Sequence, residues 1–590
     1  MLLKSRLAKT FQGVSLLAAG CFYREIWKPS QDQVQAQVRL RARDPAAFEA
    51  GLQNALLRRE PGHSTTALEV LEASGELSKE QARRLWADRL ALQAWGDALR
   101  LLEDPRFARP KVAAYWHDLA AARVATGSTK GAVAAAREAV ARDPSNPEIA
   151  ELAAALERLE AYEARPDGAV NWHGFIDEVA LLVDLHRFEQ AATALAAGVA
   201  RFGEAASAKK MNLAVELART LFRVLDPTSV QSLFRCLRPA FAQRGLLEGY
   251  EWACEALGGP EGEAWRPPPL FGDEPFLLAC IGQAFAAQGQ WKRAAAFFGP
   301  VAILRKDPFD GRPELARCVG RQVIDEIQPV FAPATGPRKV VDVFRFQDEL
   351  MLLKLKLEEM GPWVDRFVIV EARSTFTGLP KPVMFEQHRH EFAAWNDKIV
   401  HLVVDFPDWA DSPWAREFYQ RDIALAALSG YCGPEDIVLS TDADEIVDRR
   451  VIDSFAGEFA GLEMKVFKYF FNLRRRYEID PVYTTAWRAK YLTRVGLSTT
   501  RVGLGRYSKW HVLQGGGWHF TSIKDAEALV IKLRAYSHTE YAGADSEELA
   551  RRMAAIRKGE DFANHQRCEI DNEMPAALRD NRESFADFIL

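Results

Sequence analysis

The sequence predicts two structural regions, an α-helical region over residues 31–330 and an α/β domain over residues 335–590. The first region is rich in alanine, leucine, arginine and glutamate and has few runs of β-branched residues, which is typical of helices. After residue 338, short runs of valine, isoleucine and phenylalanine alternate with helical patterns. Stretches rich in proline and glycine at 258–270, 307–313 and 329–337 indicate breaks near the junction.

The composition is that of a soluble globular protein. The chain has 590 residues, too many for one hydrophobic core, with 48% hydrophobic and 27% charged residues. The formal net charge of −5 argues against a nucleic-acid partner, which would favour a basic excess. The seven cysteines are scattered and contain no Cys-X-X-Cys pair. We therefore expect neither a zinc site nor a disulfide framework, and a reducing compartment fits best.

Residues 1–30 are predicted to be a separate segment, either a first helix or a weak targeting segment. Lys4, Arg6 and Lys9 precede a mildly apolar stretch at 14–22. That stretch is too short to cross a bilayer as a helix, and no other stretch approaches a membrane span. We therefore expect a cytoplasmic protein without a membrane span, and association with a membrane surface stays open.

The helical region shows internal repetition. One copy has a large apolar residue, a leucine next to a small residue, a turn glycine, a second helix with small residues and a closing proline: Trp116, Leu119, Ala120, Gly127, Ala132, Ala136, Ala139 and Pro144. A second copy runs through Leu278, Ile281, Gly282, Phe285, Gly289, Ala294, Phe298 and Val301. These offsets resemble the tetratricopeptide repeat, whose stacked helix pairs form a solenoid that binds peptides or proteins. A generic helical bundle with alanine-rich faces is the alternative.

Strand and helix patterns alternate in the second region. The predicted elements, in chain order, are strand 340–344, helix 348–360, strand 367–370, strand 399–404, helix 417–428 and strand 437–439. This alternation is typical of an α/β domain with a largely parallel sheet. The segment 466–471 and later segments are predicted to add antiparallel strands.

The most informative stretch is Asp442-Ala443-Asp444-Glu445, a cluster of carboxylates directly after the apolar strand at 437–439. Ligands of open α/β sheets bind outside the carboxyl ends of the strands. Two carboxylates held close together repel each other unless a cation lies between them, and Mg²⁺ or Mn²⁺ is commonly held by one or two carboxylates plus substrate phosphates. We interpret Asp442 and Asp444 as a metal site for a nucleotide diphosphate. An acidic turn without a ligand is the alternative.

Other polar residues lie where such a sheet would bring them together. Glu371 closes the second predicted strand, where an acid can accept hydrogen bonds from a ribose or a base, and Arg373 and Thr377 follow in the loop. Arg421 shares a helix face with Glu417. Each also has a structural alternative, a paired loop acid in the first case and an intrahelical ion pair in the second.

A third group follows the glycine run at 515–517. Trp518 offers a flat stacking face, and His519 could ligate a metal or hold a phosphate. Lys532 and His538 could neutralise a diphosphate. A structural histidine and a solvated helix face are the alternatives.

Several of these residues, though not Arg421 or Lys532, lie in a set of motifs that match a known family in order and spacing. The motifs span 346–350, 367–378, 380–382, 442–446, 517–520 and 536–538. Together they resemble glycosyltransferase family 17, the family of the bisecting β-1,4-N-acetylglucosaminyltransferases, over residues from about 338 to 565. Two positions depart from the family pattern, since Thr441 follows Ser440 and Val447 replaces a proline.

The resemblance implies a GT-A-type fold and an inverting, metal-dependent transfer from a UDP-sugar to a hydroxyl of a glycan or glycoconjugate, with N-acetylglucosamine as the expected sugar. It implies Mn²⁺ or Mg²⁺ as cofactor, held by Asp442, Asp444 and His519. The remaining candidates would bind the nucleotide sugar: Glu371, Arg373, Thr377, Arg421, Trp518, Lys532 and His538.

Inversion needs one base that deprotonates the acceptor hydroxyl. Glu445 is the candidate catalytic base because it adjoins the metal acids, while Asp448 and Asp365 stay open. The helical region is expected to recruit the acceptor or a protein partner. Two other functions stay open: a tetratricopeptide scaffold with an inactive transferase domain, and a metal-dependent phosphohydrolase.

Overall fold

The structure of the chain is a computed structural model. It describes residues 31–46, 48, 52, 65–91, 93–165, 171–259, 274–304, 311–332, 336–455, 457–477, 479–507, 512–560 and 564–590. The segment predicted at residues 1–30 lies outside the described residues. The chain divides into two compact units, the first with residues 1–260, 268–272 and 283–289, and the second with residues 261–267, 273–282 and 290–590.

The described part of the first unit is helical, which confirms the prediction of an N-terminal helical region. Its helices are α1 (Gln31–Arg43), α2 (Thr65–Ala73), α3 (Lys79–Ala91), α4 (Trp95–Glu103), α5 (Ala113–Ala125), α6 (Thr129–Arg142), α7 (Pro147–Glu163), α8 (Trp172–Asp184), α9 (Phe188–Phe202), α10 (Ala208–Phe222), α11 (Pro227–Arg235), α12 (Arg238–Ala242) and α13 (Leu247–Leu257). The next helix, α14 (Pro275–Ala287), contains one of the points at which the chain divides.

In this unit, particular residues account for a close helix–helix contact, a turn and the start of a helix. A Cβ atom added to Gly198 of α9 would lie 2.1 Å from the ring of Phe175 on α8, so only glycine permits this approach. The turn between α5 and α6 contains Gly127, whose φ of +101° favours glycine. Asn146 begins α7, because its side chain accepts hydrogen bonds from two backbone amides of the first turn, with Pro147 as the first helical residue. The tetratricopeptide solenoid stays a prediction.

The second unit combines a mixed sheet with helices. Its strands are β1 (Val340–Phe346), β2 (Arg366–Ala372), β3 (Ile399–Val404), β4 (Ile437–Asp442), β5 (Glu445–Val447), β6 (Phe459–Lys468), β7 (Leu473–Arg475), β8 (Val482–Arg488), β9 (Val512–Thr521) and β10 (His565–Arg567). Its helices after α14 are α15 (Trp291–Ala302), α16 (Gly311–Ile327), α17 (Leu350–Met360), α18 (Met384–His388), α19 (Pro413–Asp422), α20 (Leu425–Leu428), α21 (Arg449–Asp453), α22 (Leu497–Tyr507), α23 (Ala526–Ala535), α24 (Ser546–Arg557) and α25 (Ala576–Asp580). Short 3₁₀ helices cover Arg389–Trp395, Ala489–Tyr491, Thr539–Tyr541 and Arg582–Phe588.

The sheet order is β10-β7-β6-β8-β4-β1-β2-β3, and β9 pairs with both β5 and β6. The strands β4, β1, β2 and β3 are parallel, whereas β8 is antiparallel to β4 and to β6. The predicted alternation of strands and helices therefore holds for the parallel part. Of the later strands, β7, β8 and β10 pair antiparallel as predicted, whereas β9 is antiparallel to β5 but parallel to β6. The predicted helix at 417–428 is interrupted, since α19 ends at Asp422 and a four-residue helix follows. GT-A-type architecture stays a prediction.

The second unit includes helices that precede residue 335. Helix α16 packs against α19 and α22. The approach to the segment before α22 is close, since a Cβ added to Gly320 would lie 3.0 Å from Cα of Gly496. The buried face of α16 carries apolar side chains that include Leu315, Val319 and Val323. No helix among the described residues is both long and apolar enough to cross a membrane.

Candidate functional site

A cavity of about 990 Å³, including its open mouth, lies where the parallel strands β1, β2 and β4 end. Charged side chains and one histidine line it: Arg345, Glu349, Lys381, Asp442, Asp444, Arg501, His519 and Lys532. Hydroxyl and apolar groups complete the wall, among them Ser374, Thr375, Phe376, Tyr483, Leu529, Leu533 and Tyr536. The position agrees with the rule that open α/β sheets bind ligands at the carboxyl ends of their strands.

Asp442, the last residue of β4, is surrounded by three arginines. Its Oδ1 accepts hydrogen bonds from Arg345 (2.8 Å) and Arg421 (2.7 Å), and its Oδ2 accepts one from Arg501 (2.6 Å). The sheet register explains the first contact, because Arg345 of β1 lies directly beside Asp442. Burial alone would raise the pKa of Asp442, but the charges of Arg345, Arg501 and Arg421 hold it well below its ordinary value.

Two further carboxylates hold the arginines that reach the cavity. Glu417 pairs with Arg345 at 3.0 Å and also accepts a hydrogen bond from the hydroxyl of Ser537. Glu445 is fully buried and accepts two hydrogen bonds from Arg501, at 2.6 and 2.8 Å. Arg345 and Arg501 are thus each held by two carboxylates. These bonds fix the orientation of the remaining N–H groups of each guanidinium.

Arg421 has a different environment, because its side chain is only 2% exposed. It donates to the backbone oxygen of Thr441 at 2.7 Å as well as to Asp442. Burial lowers its pKa to about 10, so it remains charged at neutral pH. Arg421 therefore stabilises the end of β4 by its hydrogen bonds to Thr441 and Asp442, and it does not line the cavity.

Asp444 lies on the turn after β4 and faces two cationic partners. Its Oδ1 is 3.5 Å from Nε2 of His519, and its Oδ2 is 3.4 Å from Nζ of Lys532. Lys532 also lies 3.3 Å from Glu349. Burial opposes ionisation of Asp444, yet Lys532 and His519 keep its pKa below the ordinary value. Burial lowers the pKa of His519, but the charge of Asp444 outweighs it and leaves that pKa raised.

The residues can be tested against a divalent metal ion. Among the described residues, no group of three or more His, Cys, Asp or Glu side chains is arranged to hold one. Asp442 does not fit, because both of its oxygens already accept from guanidinium groups. Asp444 and His519 could supply two ligands, an oxygen and a ring nitrogen that lie 3.5 Å apart, once the imidazole is neutral, and substrate phosphates can complete the coordination.

Glu371 is fully buried and lies one layer behind the cavity wall. It pairs with Lys381 at 3.0 Å and with His401 at 3.2 Å, and it accepts hydrogen bonds from the backbone amides of Met384 and Phe385. All of its capacity is therefore used within the protein. Through this contact Glu371 fixes Lys381, which does line the cavity.

Several other predicted residues do not line the cavity. Arg373 is exposed and pairs with Asp405 at 2.8 Å. Thr377 shares a hydrogen bond with Thr375 and donates to the backbone of Arg534, which closes the loop over α23. Their nucleotide-binding roles stay predictions, and we leave both residues out of the proposed site.

Trp518 and His538 also lie away from the cavity lining. Trp518 is 5% exposed, packs in the core beneath the sheet and donates to the backbone oxygen of Glu573. His538 packs edge-to-face against Trp414 and pairs with Glu540 at 2.9 Å. A stacking face or a free imidazole is therefore not offered to a ligand here, and both residues are likewise left out of the proposed site.

Four charged residues that line the cavity were not among the predicted site residues: Arg345, Glu349, Lys381 and Arg501. Arg345 carried a signal, because an arginine inside the apolar strand Val340–Phe346 needs a buried partner. Arg501 carried none, since it lies 59 residues beyond Asp442 in a helix without any distinctive pattern.

Residues 330–566 match the family model described as glycosyltransferase family 17. This part of the chain is a glycosyltransferase family 17 domain. The match confirms the resemblance inferred from the motifs, and it contains the residues that line the cavity.

The family 17 domain is also similar to characterised relatives. The β-1,4-mannosyl-glycoprotein 4-β-N-acetylglucosaminyltransferases of rat, human and mouse are each 29% identical over 126 residues, which cover 20% of this chain. The chain spans 23% of the length of these relatives.

Proposed function

We propose that the family 17 domain transfers a sugar, N-acetylglucosamine, from a UDP-sugar to a hydroxyl of a glycan or glycoconjugate, with inversion at the anomeric carbon. The observation that carries the proposal is the cavity itself. It combines three fixed cations, Arg345, Arg501 and Lys532, with the paired Asp444 and His519, in a domain of this family.

The cations suit a diphosphate leaving group. Arg345 and Arg501 are held by carboxylates on one side and line the cavity on the other. Guanidinium groups bind phosphate oxygens in two-point geometry, and cations placed in advance stabilise the negative charge that develops as UDP leaves. Lys532 adds a third positive charge beside Asp444.

A Mn²⁺ or Mg²⁺ ion at Asp444 and His519 would supply further positive charge at the diphosphate. The protein's own part is to present one carboxylate oxygen and one ring nitrogen 3.5 Å apart. Asp442 instead accepts hydrogen bonds from the three arginines, and we assign it no part in binding the metal.

The mechanism also needs a base that deprotonates the acceptor hydroxyl. Glu445 has no exposed surface, and its oxygens accept from Arg501, Thr484 and a backbone amide. Glu349 does line the cavity, and Lys532 and Lys524 outweigh its burial and keep its pKa below the ordinary value. We therefore assign proton abstraction from the acceptor hydroxyl to Glu349 in place of Glu445.

Titration of UDP and UDP-N-acetylglucosamine into the full chain, with Mn²⁺ or with a chelator, tests the donor site. The proposal expects binding that Mn²⁺ strengthens and that Asp444→Asn weakens at least tenfold, whereas Asp405→Asn, an exposed control, binds as the wild type does. Absence of nucleotide-sugar binding by the folded wild-type chain would favour the scaffold function. Product analysis with glycan acceptors then tests transfer and the anomeric configuration.

The helical unit is proposed to recruit the acceptor or a protein partner. Its support is the repeated helix pattern joined to a transferase-family domain. Transfer to the natural acceptor by the full chain is compared with transfer by a chain that starts at residue 290, after circular dichroism has shown that the shorter chain is folded. Equal rates would contradict recruitment, while equal rates only on a small soluble acceptor would support it.

A further inference from the structure

Lys356 is a fully buried lysine beneath the acidic turn. It lies on α17, and its ammonium group is surrounded by oxygen atoms. Its Nζ lies 3.0 Å from Oδ2 of Asp342, 2.7 Å from Oγ1 of Thr441, 3.1 Å from the backbone oxygen of Asp442 and 2.7 Å from that of Glu445. Asp342, its only ion-pair partner among the described residues, is also fully buried.

Stability alone does not account for a charged pair at this position. The helix around Lys356 is rich in leucine, with Leu352, Leu353, Leu355 and Leu357 all buried. Taking two charges out of water is costly, and replacing a buried ion pair by apolar residues of similar size is often neutral or stabilising. A pair in such surroundings is better explained by what its hydrogen bonds hold in place.

Two of those bonds go to the ends of one tight turn. The backbone oxygens of Asp442 and Glu445 flank the two residues Ala443 and Asp444, which connect β4 to β5. Because one ammonium group binds both oxygens, the two ends of the turn are fixed relative to each other. The third bond, to Thr441, extends the same restraint into β4, and Thr441 in turn donates to Asp342 at 2.7 Å.

The side chains of the turn face the other way. Asp442 and Asp444 line the cavity, while their backbone is anchored beneath it. A shift of the turn by one ångström would break the contacts of Asp442 with its arginines, all of which are between 2.6 and 2.8 Å. Catalytic constellations need support of this kind to keep their geometry.

We propose that Lys356 is a positioning residue, whose ammonium group fixes the turn between β4 and β5 so that Asp442 and Asp444 face the cavity in their productive arrangement. This inference rests on the proposed function for its catalytic consequence. Its structural part, the restraint of the turn, does not depend on any activity.

The test separates positioning from stability by removing both charges. Lys356→Met leaves Asp342 buried without a counter-ion and should destabilise the protein. Lys356→Met combined with Asp342→Asn restores neutrality, so most of the stability should return, but the bonds to the backbone oxygens remain lost. Lys354→Met is the matched control, because Lys354 is exposed on the same helix.

Two readouts are made on the full chain. Hydrogen exchange of peptides covering residues 440–447 should be at least tenfold faster in the double variant than in the wild type and unchanged in Lys354→Met. The dissociation constant of UDP-N-acetylglucosamine with Mn²⁺ should rise at least tenfold in the double variant, with kcat lowered as well. Exchange and donor affinity both within twofold of the wild type would overturn the proposal.

The outcomes also distinguish this inference from the proposed function. If the wild type binds no nucleotide sugar, the proposed function fails, and the exchange measurement still decides whether Lys356 restrains the turn. If the double variant does not fold, Lys356→Gln with Asp342→Asn, which keeps one polar contact between the two side chains, is measured in the same way. Wild-type exchange in that folded variant would equally overturn the proposal.

Discussion

Arg501 Nη2 lies 2.6 Å from Asp442 Oδ2, although the two residues are 59 positions apart in the chain. With Arg345 and Arg421 on its other oxygen, Asp442 is an acceptor for three guanidinium groups. The first aspartate of the Asp-X-Asp sequence is thus part of a cation-holding network, while the second, Asp444, remains beside His519. The two carboxylates therefore have different roles, and substitutions should separate them.

Asp444→Asn is expected to abolish the effect of Mn²⁺ on UDP-sugar affinity, because it removes the carboxylate from the proposed metal pair. Asp442→Asn is expected to weaken binding at every Mn²⁺ concentration and to keep the response to the metal, because it loosens the arginines. Calorimetric titrations over a Mn²⁺ series measure both. A variant Asp442→Asn that has lost all metal response would contradict this division.

Arg501→Gln is expected to lower both stability and donor affinity. It leaves Glu445 buried without its partner, and breaking a buried pair in this way costs about 3–5 kcal/mol. Adding Glu445→Gln should restore much of the free energy of unfolding but not the affinity for UDP, since the phosphate-facing cation is still absent. Urea unfolding and UDP titration are the measurements. Arg373→Gln is the control, because its pair with Asp405 is exposed.

Glu349→Gln is expected to lower kcat by about 10²–10⁴-fold, the usual contribution of general base catalysis, with donor affinity changed much less. Its carboxylate lines the cavity, and Lys532 lies 3.3 Å away. Glu391→Gln, an exposed substitution, serves as control. A kcat close to the wild-type value for Glu349→Gln would exclude Glu349 as the base.

Asp422 should make the domain less stable as the pH rises. It is fully buried, and burial raises its pKa to about 7. In the unfolded chain the pKa of an aspartate is about 3.9. Between about pH 4 and about pH 7 the folded state therefore binds more protons than the unfolded state, and the free energy of unfolding falls as the pH rises. The loss is at most about 4 kcal/mol, at 1.36 kcal/mol per pKa unit.

Asp422→Asn removes this titration. The melting temperature of the wild type is therefore expected to fall more between pH 5 and pH 8 than that of the variant. Asp405→Asn, which is exposed, should behave as the wild type does. Equal pH dependence in the wild type and Asp422→Asn would show that Asp422 does not titrate in this range.

Gly517→Ala is expected to destabilise the second unit strongly. Gly517 has a φ of +138° and pairs with Val447 of β5, and a Cβ atom there would lie 2.0 Å from the backbone oxygen of the residue preceding Val447, Ile446. Gly515 also has a positive φ, of +68°, but a Cβ there meets open space, so Gly515→Ala should cost only the backbone term of about 1 kcal/mol. Urea unfolding of the two variants measures the difference, and equal values would contradict it.

The parallel strands were predictable because their apolar runs are continuous and are separated by helical periods. The strand predicted at 399–404 has those bounds in the structure, and the helix predicted at 348–360 is α17. The interruption of the helix at 417–428 was not predictable, because no proline or glycine marks it. It coincides with Asp422, whose side chain accepts from the amide of Ser498, a contact between distant segments.

The candidate site was predictable only in part. Asp442, Asp444 and His519 lie together, as the end of a strand and the family motifs indicated, and Lys532, predicted separately as a diphosphate-binding cation, lies beside them. Trp518 and Glu371 have the right residue types, but the pleat of β9 turns Trp518 into the protein, and Lys381 together with the start of α18 covers the carboxylate of Glu371 at the end of β2. Sequence spacing cannot reveal such orientations, because they depend on strand register.

The sequence by itself determined a helical first region, a strand-and-helix second region, an acidic turn after β4 and membership of residues 330–566 in glycosyltransferase family 17. Those features depend on local composition and short motifs. Only the tertiary structure assigned Asp442 to three arginines, placed Lys356 beneath the turn and buried Glu445. The physical reason is that charges 21 to 97 residues apart meet only after the sheet has formed, and their partners then decide the role of each one.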